Sequence, residues 1–224
     1  MAQPVTVGLD IAKNVFHAHG VDAYGQKVLS RKLRRGQVEA FFAKLDPCLV
    51  GIEACATAHH WACTIARFGH QVRLMPPAYV KPYVKTQKND AADAEAICEA
   101  VTRPNMRFAD TKTIEQQSVL VLHRTRAMLI RHRTRVGNTI RAHLAEFGIT
   151  ESIGRVGLSR LVDIITSGED DRIPDVTRGA LMCLVDQYCL LQGQILELDR
   201  QVMAWHKSNE ASKRLATIPG IGPL

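Results

Sequence analysis

The 224-residue sequence predicts an α/β domain, a mixed sheet with helices packed against it, followed by an all-α segment of coiled-coil character. Three observations carry this. Short β-branched and alternating runs fill the first hundred residues, interleaved with helical runs closed by glycine or proline. Between Glu115 and Glu146 no acidic residue occurs, while apolar residues recur at helical spacing. Near the C-terminus a heptad seam runs over three and a half heptads.

The elements follow in order. "PVTVGLD" (4–10) is a β-branched run ending on an acid, and "NVFHAHGV" (14–21) alternates as a half-exposed strand does. After the turn signal "DAYGQ", "KVLSRKL" reads as a third strand, so the domain opens with hairpin-linked antiparallel strands. "GQVEAFFAKLD" is a helix closed by Pro47, and "CLVGIEA" a buried strand. "TAHHWACTIARFG" is a helix with a glycine stop, "HQVRLMP" a further strand, and "KNDAADAEAI" (88–97) opens an alanine-rich helix. The order β-β-β-α-β-α-β-α implies the mixed sheet. Leu122, Leu129, Val136, Ile140, Leu144 and Phe147 then form one stripe, giving a helix over 114–147, roughly 50 Å long at 1.5 Å per residue. The loop-like "GEDDRIPD" leads into a second long helix. Its seam is Leu181, Leu184, Tyr188, Leu191, Ile195, Leu198, Val202 and Trp205, which can pair within the chain or with a second copy. Three domains are expected: 1–105 α/β, 106–210 helical, and 211–224 the start of another domain.

Composition narrows the function. With 46% hydrophobic and 23% charged residues the chain is not of disordered type, and 5% aromatics disfavours a base-stacking platform. No run is long enough to cross a bilayer and no signal-peptide core opens the chain. Six cysteines without a CxxC pair read as reduced, mostly buried thiols of a cytoplasmic protein. The net charge of +7 is local: residues 106–145 carry 8 Lys/Arg against 2 Asp/Glu, whereas 146–224 carry 8 against 11. An arginine-rich, acid-free helix points to a polyanion, read through phosphates rather than stacked bases. Arg124, Arg126, Arg131, Arg133, Arg135 and Arg141 are the candidate nucleic-acid contacts, with Lys81, Lys85 and Lys88 leading into the alanine-rich helix. Cys55, His59, His60 and Cys63 share one helix, but their spacing matches no common zinc module.

Four carboxylates stand out. Asp10 ends the first strand, Glu53 ends the buried strand, and Asp90 and Asp93 lie three apart at a helix start. Each has an ordinary structural use: a turn acid, a helix-terminal acid, or first-turn acids complementing the helix dipole. Together they suit a divalent-metal site. Acids at i and i+3 share a helix face, strand ends are where α/β folds build sites, and hard oxygen donors suit Mg²⁺ or Mn²⁺. An acid on the first strand, another on a central strand and Asp-x-x-Asp on a later helix is the spacing of RuvC-like, ribonuclease H-type nucleases, in which carboxylates clamp two cations about 3.5–4 Å apart.

The stretches "VGLDIAKN", "GIEAC", "VKTQKNDAADAEAI" and "LATIPGIGP" resemble the DEDD transposases of the IS-one-ten (Piv/MooV) insertion sequences, over essentially the whole chain. The resemblance implies a RuvC-like catalytic domain over 1–105, a coiled-coil and nucleic-acid-binding segment, and the start of a C-terminal transposase domain. It implies Asp10, Glu53, Asp90 and Asp93 as the catalytic tetrad and the metal ligands, with Mg²⁺ or Mn²⁺ as cofactor. It further implies DNA as substrate, a structured RNA guide made by the element, and a homo-oligomer. The family's C-terminal catalytic serine has no counterpart among the serines here, so the chain reads as a truncated member from which complete recombination alone is not expected. Rival readings are a non-catalytic nucleic-acid-binding fragment and a RuvC-type Holliday-junction nuclease. A sugar-kinase-like ATPase, faintly suggested by "VGLDIAKN", lacks the glycine-rich phosphate segments.

Overall fold

The structure, a computed structural model, describes residues 3–85 and 89–223. The chain divides into two compact units, Met1–Thr113 and Ile114–Leu224.

The first unit is built on five strands: β1 (Thr6–Ile11), β2 (Val15–Val21), β3 (Lys27–Arg34), β4 (Leu49–Glu53) and β5 (Gln71–Met75). Their order across the sheet is β3-β2-β1-β4-β5. The first three form an antiparallel meander, while β1–β4 and β4–β5 are parallel. This is the mixed sheet expected from the sequence, and it is consistent with the RuvC-like class. The helices are α1 (Val38–Phe42), α2 (Ala58–Ala66), α3 (Pro77–Val80) and α4 (Asp90–Ala100).

Alternation along the strands assigns the two faces. Val7 and Leu9 of β1, Phe16 and Ala18 of β2, and Val50 and Ile52 of β4 join Phe42, Trp61 and Ile65 in one apolar core. The intervening positions face α4. There β1 and β4 carry glycine: a Cβ on Gly8 would stand 2.2 Å from the Ala94 carbonyl oxygen and 2.3 Å from the Cys98 nitrogen. A Cβ on Gly51 would stand 2.8 Å from that of Val101. The helix backbone therefore rests almost directly on the strands, and its own small residues, Ala94, Ala96 and Ala100, are buried. Asn89 caps this helix, its Oδ1 accepting from the Ala92 N–H at 2.8 Å. Residues 106–113, which the sequence groups with the helical segment, pack on this first unit. Ala109 bridges Leu74, and the Arg73 guanidinium stacks 4.7 Å from the Phe108 ring centre.

The second unit is helical: α5 (Ile114–Ala145), α6 (Arg155–Ser167), α7 (Asp175–Ser208) and α8 (Glu210–Leu215). The two long helices run antiparallel. Trp205 Nε1–H donates to Glu115 at 3.1 Å near one end, Arg126 pairs with Asp199, and Gly137 lies against Leu158 and Tyr188 further along. Leu181, Leu191, Ile195 and Val202 of the heptad seam are buried, joined by Val185 from outside it. The partner is therefore α5 of the same chain, wedged at one end by α6. The α6 helix comes from a stretch to which the sequence reading gave no element; its stripe Leu158, Leu161, Ile165 closes the core over Val136, Ile140 and Leu144. One expectation needs correction, that of mostly buried thiols. Only Cys48 and Cys98 are buried, the other four thiols being exposed, and all six are free. On α2, His59 accepts the Lys112 backbone N–H at 3.2 Å. Among the described residues no helix is long and apolar enough to cross a membrane.

The Gly8 contact makes a direct test. Gly8→Ala should lower stability by about 1–3 kcal/mol, the range for overpacking a filled interior. Gly36→Ala, where an added Cβ meets nothing within 4 Å, should change it little. Chemical denaturation of the two variants checks this; equal stabilities would mean that the helix can lift without cost.

Candidate functional site

Strand register aligns the first two acids. In the parallel β1–β4 ladder the last registered pair is Leu9 with Ile52, and Asp10 and Glu53 follow one residue later on each strand. Side chains alternate along a strand, so both acids project to the face opposite Leu9 and Ile52, the one covered by α4. They sit one step beyond the two glycines on which α4 rests. Because Ala94 and Cys98 lie over Gly8, the first turn of α4, with Asp90 and Asp93, overhangs the ends of β1 and β4 where Asp10 and Glu53 emerge. The order of secondary structure and two missing Cβ atoms thus bring the four acids to one place.

The electrostatics record that convergence. The Asp10 carboxyl is pushed up to about 6, first by burial, then by the negative charges of Asp93, Asp90 and Glu53. His17 acts in the opposite direction. Like charges within mutual reach disfavour ionisation of the most buried member. Among the described residues no group of three or more His, Cys, Asp or Glu is drawn tightly enough to enclose an ion. The acids face one region without closing on one point. The donor set fits Mg²⁺ or Mn²⁺ in chemistry: four hard carboxylates, whose mutual repulsion a cation would relieve.

Two neighbours were not singled out from the sequence. His17 stands opposite Asp10 in the β1–β2 ladder, and its Nε2 lies 3.6 Å from Asp90 Oδ2. That nitrogen is shielded from solvent yet has no hydrogen-bond partner among the described residues. Lys32, opposite His17 on β3, extends the same row to the sheet edge. The available signal was the three-residue connection 12–14: so short a hairpin fixes the pairing and carries His17 to the acid's side of the sheet. Beside Glu53, Thr57 caps α2 with φ +71°, a left-handed conformation that non-glycine residues seldom adopt.

The basic candidates separate by what they touch. Arg124, Arg131 and Arg135 are exposed along α5, their side chains making no hydrogen bond or ion pair among the described residues. Arg126 is tied to Asp199, and Arg141 donates to the carbonyls of Glu151, Ser152 and Gly154. Arg133 is half-buried at a cleft. Lys85 pairs with Glu95 of α4, Lys81 is exposed before it, and Lys88 lies outside the described residues.

With this geometry in place, the chain's relatives are informative. Residues 7–149 match a family model described as transposase, that of the DEDD type of IS110. The chain is similar to a Sinorhizobium fredii protein named as a transposase, 44% identical over 99% of this chain and 57% of that protein. It is similar also to the transposase of insertion sequence element IS1328 of Yersinia enterocolitica, 40% identical over 100% of this chain and 66% of that protein. The transposase of element IS1111A of Coxiella burnetii is 37% identical over 97% and 60% respectively. The chain thus spans about three fifths of the length of these relatives.

Asp10 supplies a pH test. Its folded-state value of about 6 exceeds the ordinary 3.8, so the folded protein holds this proton more tightly than the unfolded chain. The ionised carboxylate therefore costs stability fully above pH 6, and that cost fades as pH falls through the window between 6 and 3.8. In chelator, Asp10→Asn should be more stable than the parent by about 1–2 kcal/mol at pH 8, after allowance for solvent screening, with the gain vanishing towards pH 4. Urea denaturation at the two pH values measures it. A destabilised Asp10→Asn at pH 8 would mean that the acids do not oppose one another.

Proposed function

The chain belongs to the DEDD transposase family of IS110-type insertion sequences, and from that premise we propose that its first unit is the catalytic domain of a transposase that cleaves and joins DNA strands. One observation carries the reading: Asp10, Glu53, Asp90 and Asp93, far apart in sequence, share one end of one sheet face, and three of them raise the proton affinity of the fourth. A fold gains no stability from crowding like charges, so their convergence is best explained by a positively charged visitor. Asp10, Glu53, Asp90 and Asp93 would hold one or two Mg²⁺ or Mn²⁺ ions, which supply charge neutralisation and orientation at a phosphodiester. The protein's own part is to hold the acids on rigid elements. Asp10 and Glu53 are fixed by the parallel ladder, Asp90 and Asp93 by a capped helix seated on glycine. His17 would keep Asp90 turned into the site.

The exposed arginines of α5, Arg124, Arg131 and Arg135, are proposed as the nucleic-acid contact. An acid-free helix face with uncommitted guanidinium groups suits phosphates, and a structured guide RNA and DNA are both compatible with it. Because the chain spans about three fifths of its relatives, complete strand transfer is proposed for a whole protein of that kind. Assembly of such a protein into an oligomer belongs to the same proposal.

The test is calorimetric titration of the chain with Mn²⁺ and Mg²⁺, beside the Asp90→Asn/Asp93→Asn variant. The parent should bind, and the variant should lose at least tenfold in affinity while keeping its melting behaviour. Equal binding by both would detach α4 from the metal chemistry. No binding by either, with nucleic acid still bound, would favour a binding module over a catalytic one.

A further inference from the structure

In the second unit a cleft of about 380 Å³ opens between α5, α6 and α7. Arg133, Thr134 and Asn138 line it from α5, Arg155 from the start of α6, and Tyr188 from α7. No carboxylate lines it. Arg133, Asn138 and Arg155 make no hydrogen bond or ion pair among the described residues, although the unit as a whole is rich in ion pairs. Donors that reach solvent without a protein acceptor are left to water and stay available to a ligand rich in acceptors.

The cleft is also held open by design of the chain. Arg141, one turn along from Asn138, donates to the carbonyls of Glu151, Ser152 and Gly154 at 3.3, 3.0 and 2.7 Å, and so fixes the loop that delivers Arg155. Gly157 has no room for a side chain, since its Cβ would meet the Ser152 oxygen at 2.0 Å. Gly154, at φ +107°, turns the backbone into α6. The floor is apolar: Leu158 packs on Gly137. The Thr134 hydroxyl is already spent on the Ile130 carbonyl at 2.9 Å. An acid-free concavity with two free guanidinium groups, an amide and the Tyr188 hydroxyl still matches a phosphodiester, whose oxygens accept from all of these and donate to none.

We infer that this cleft is a backbone-phosphate site for duplex nucleic acid, gripped by Arg133 and Arg155. The inference rests on the nucleic-acid reading of α5 and adds a place, a second helix and Arg155, which the sequence did not single out. Arg133 sits two residues from both Arg131 and Arg135 and so lies on the opposite side of α5, which makes the cleft a contact separate from their exposed row.

The test measures anisotropy of a labelled RNA hairpin and a labelled duplex DNA bound by the full chain, from low to moderate KCl. Three proteins are compared: the parent, Arg133→Gln/Arg155→Gln, and Arg124→Gln/Arg131→Gln/Arg135→Gln. Each phosphate contact contributes about 0.9 to the slope of log affinity against log salt on a duplex. The cleft variant should therefore lose about 1.8 from that slope and bind at least tenfold more weakly at low salt. Its melting temperature should be unchanged, because neither arginine has a partner to lose. The exposed single variant Arg155→Gln should lose half as much, which guards against a packing effect at half-buried Arg133. Loss with the hairpin alone assigns the cleft to RNA, and loss with the duplex alone assigns it to DNA. An unchanged slope in the cleft variant, with a reduced one in the α5 variant, overturns the cleft and leaves the basic-helix reading standing. Unchanged slopes in both overturn the two together.

Discussion

The contact on which the first unit depends is the seating of α4 on β1. A helix normally stands clear of a sheet by the depth of two layers of side chains. Here Gly8 supplies none, and the helix offers alanine, so the Ala94 carbonyl comes closer to the strand than any Cβ would allow. The consequence is positional. Lowering the helix by a side chain's depth brings its first turn down over the strand ends, and the first turn is where Asp90 and Asp93 are. Asp10 and Glu53 need no such device, because the parallel ladder sets them level.

This explains what the sequence could and could not disclose. The five strands were legible because each is a short β-branched or alternating run, and β2 in particular separates Phe16 and Ala18 from His17 and His19. The four acids were legible as a spacing, since Asp-x-x-Asp at a helix start is a local pattern. The glycines' purpose was not legible, because close approach is a property of two segments about ninety residues apart. His17 escaped for a related reason: a lone histidine in a strand announces nothing until the hairpin register puts it opposite an acid. The α6 helix has only four buried positions, begins at a glycine and has no side-chain cap, so every local start signal is missing. In α7 the heptad seam was plain, but a seam specifies an apolar line and not its partner, which proved to be α5 of the same chain together with α6.

Charge is distributed with the same division of labour. The arginines of α5 look equivalent along the sequence, yet two of the six are spent on structure. Arg126 answers Asp199 across the helix pair, and Arg141 ties down a loop through three carbonyls. Neither use leaves a trace in composition. What remains exposed lies on the side away from α7, so the helix presents arginine outward and aliphatic carbon inward despite a mixed pattern in the primary sequence. The acids of residues 146–224 lie mostly on α7 and its preceding loop, where they form local pairs such as Asp170 with Arg172 and Glu197 with Arg200.

The antiparallel pairing of α5 and α7 has a geometric corollary. Ile114 and Ser208, the first residue of one and the last of the other, lie at the same end, since Glu115 and Trp205 are hydrogen-bonded. Within this unit the chain runs out along one helix and returns along the other. Such a helix pair can change length by matched additions to both helices, a heptad at a time, without separating Ile114 from Ser208. The pair is an adjustable span: its far end, the loops around α6, shifts with each matched addition while Ile114 and Ser208 stay side by side.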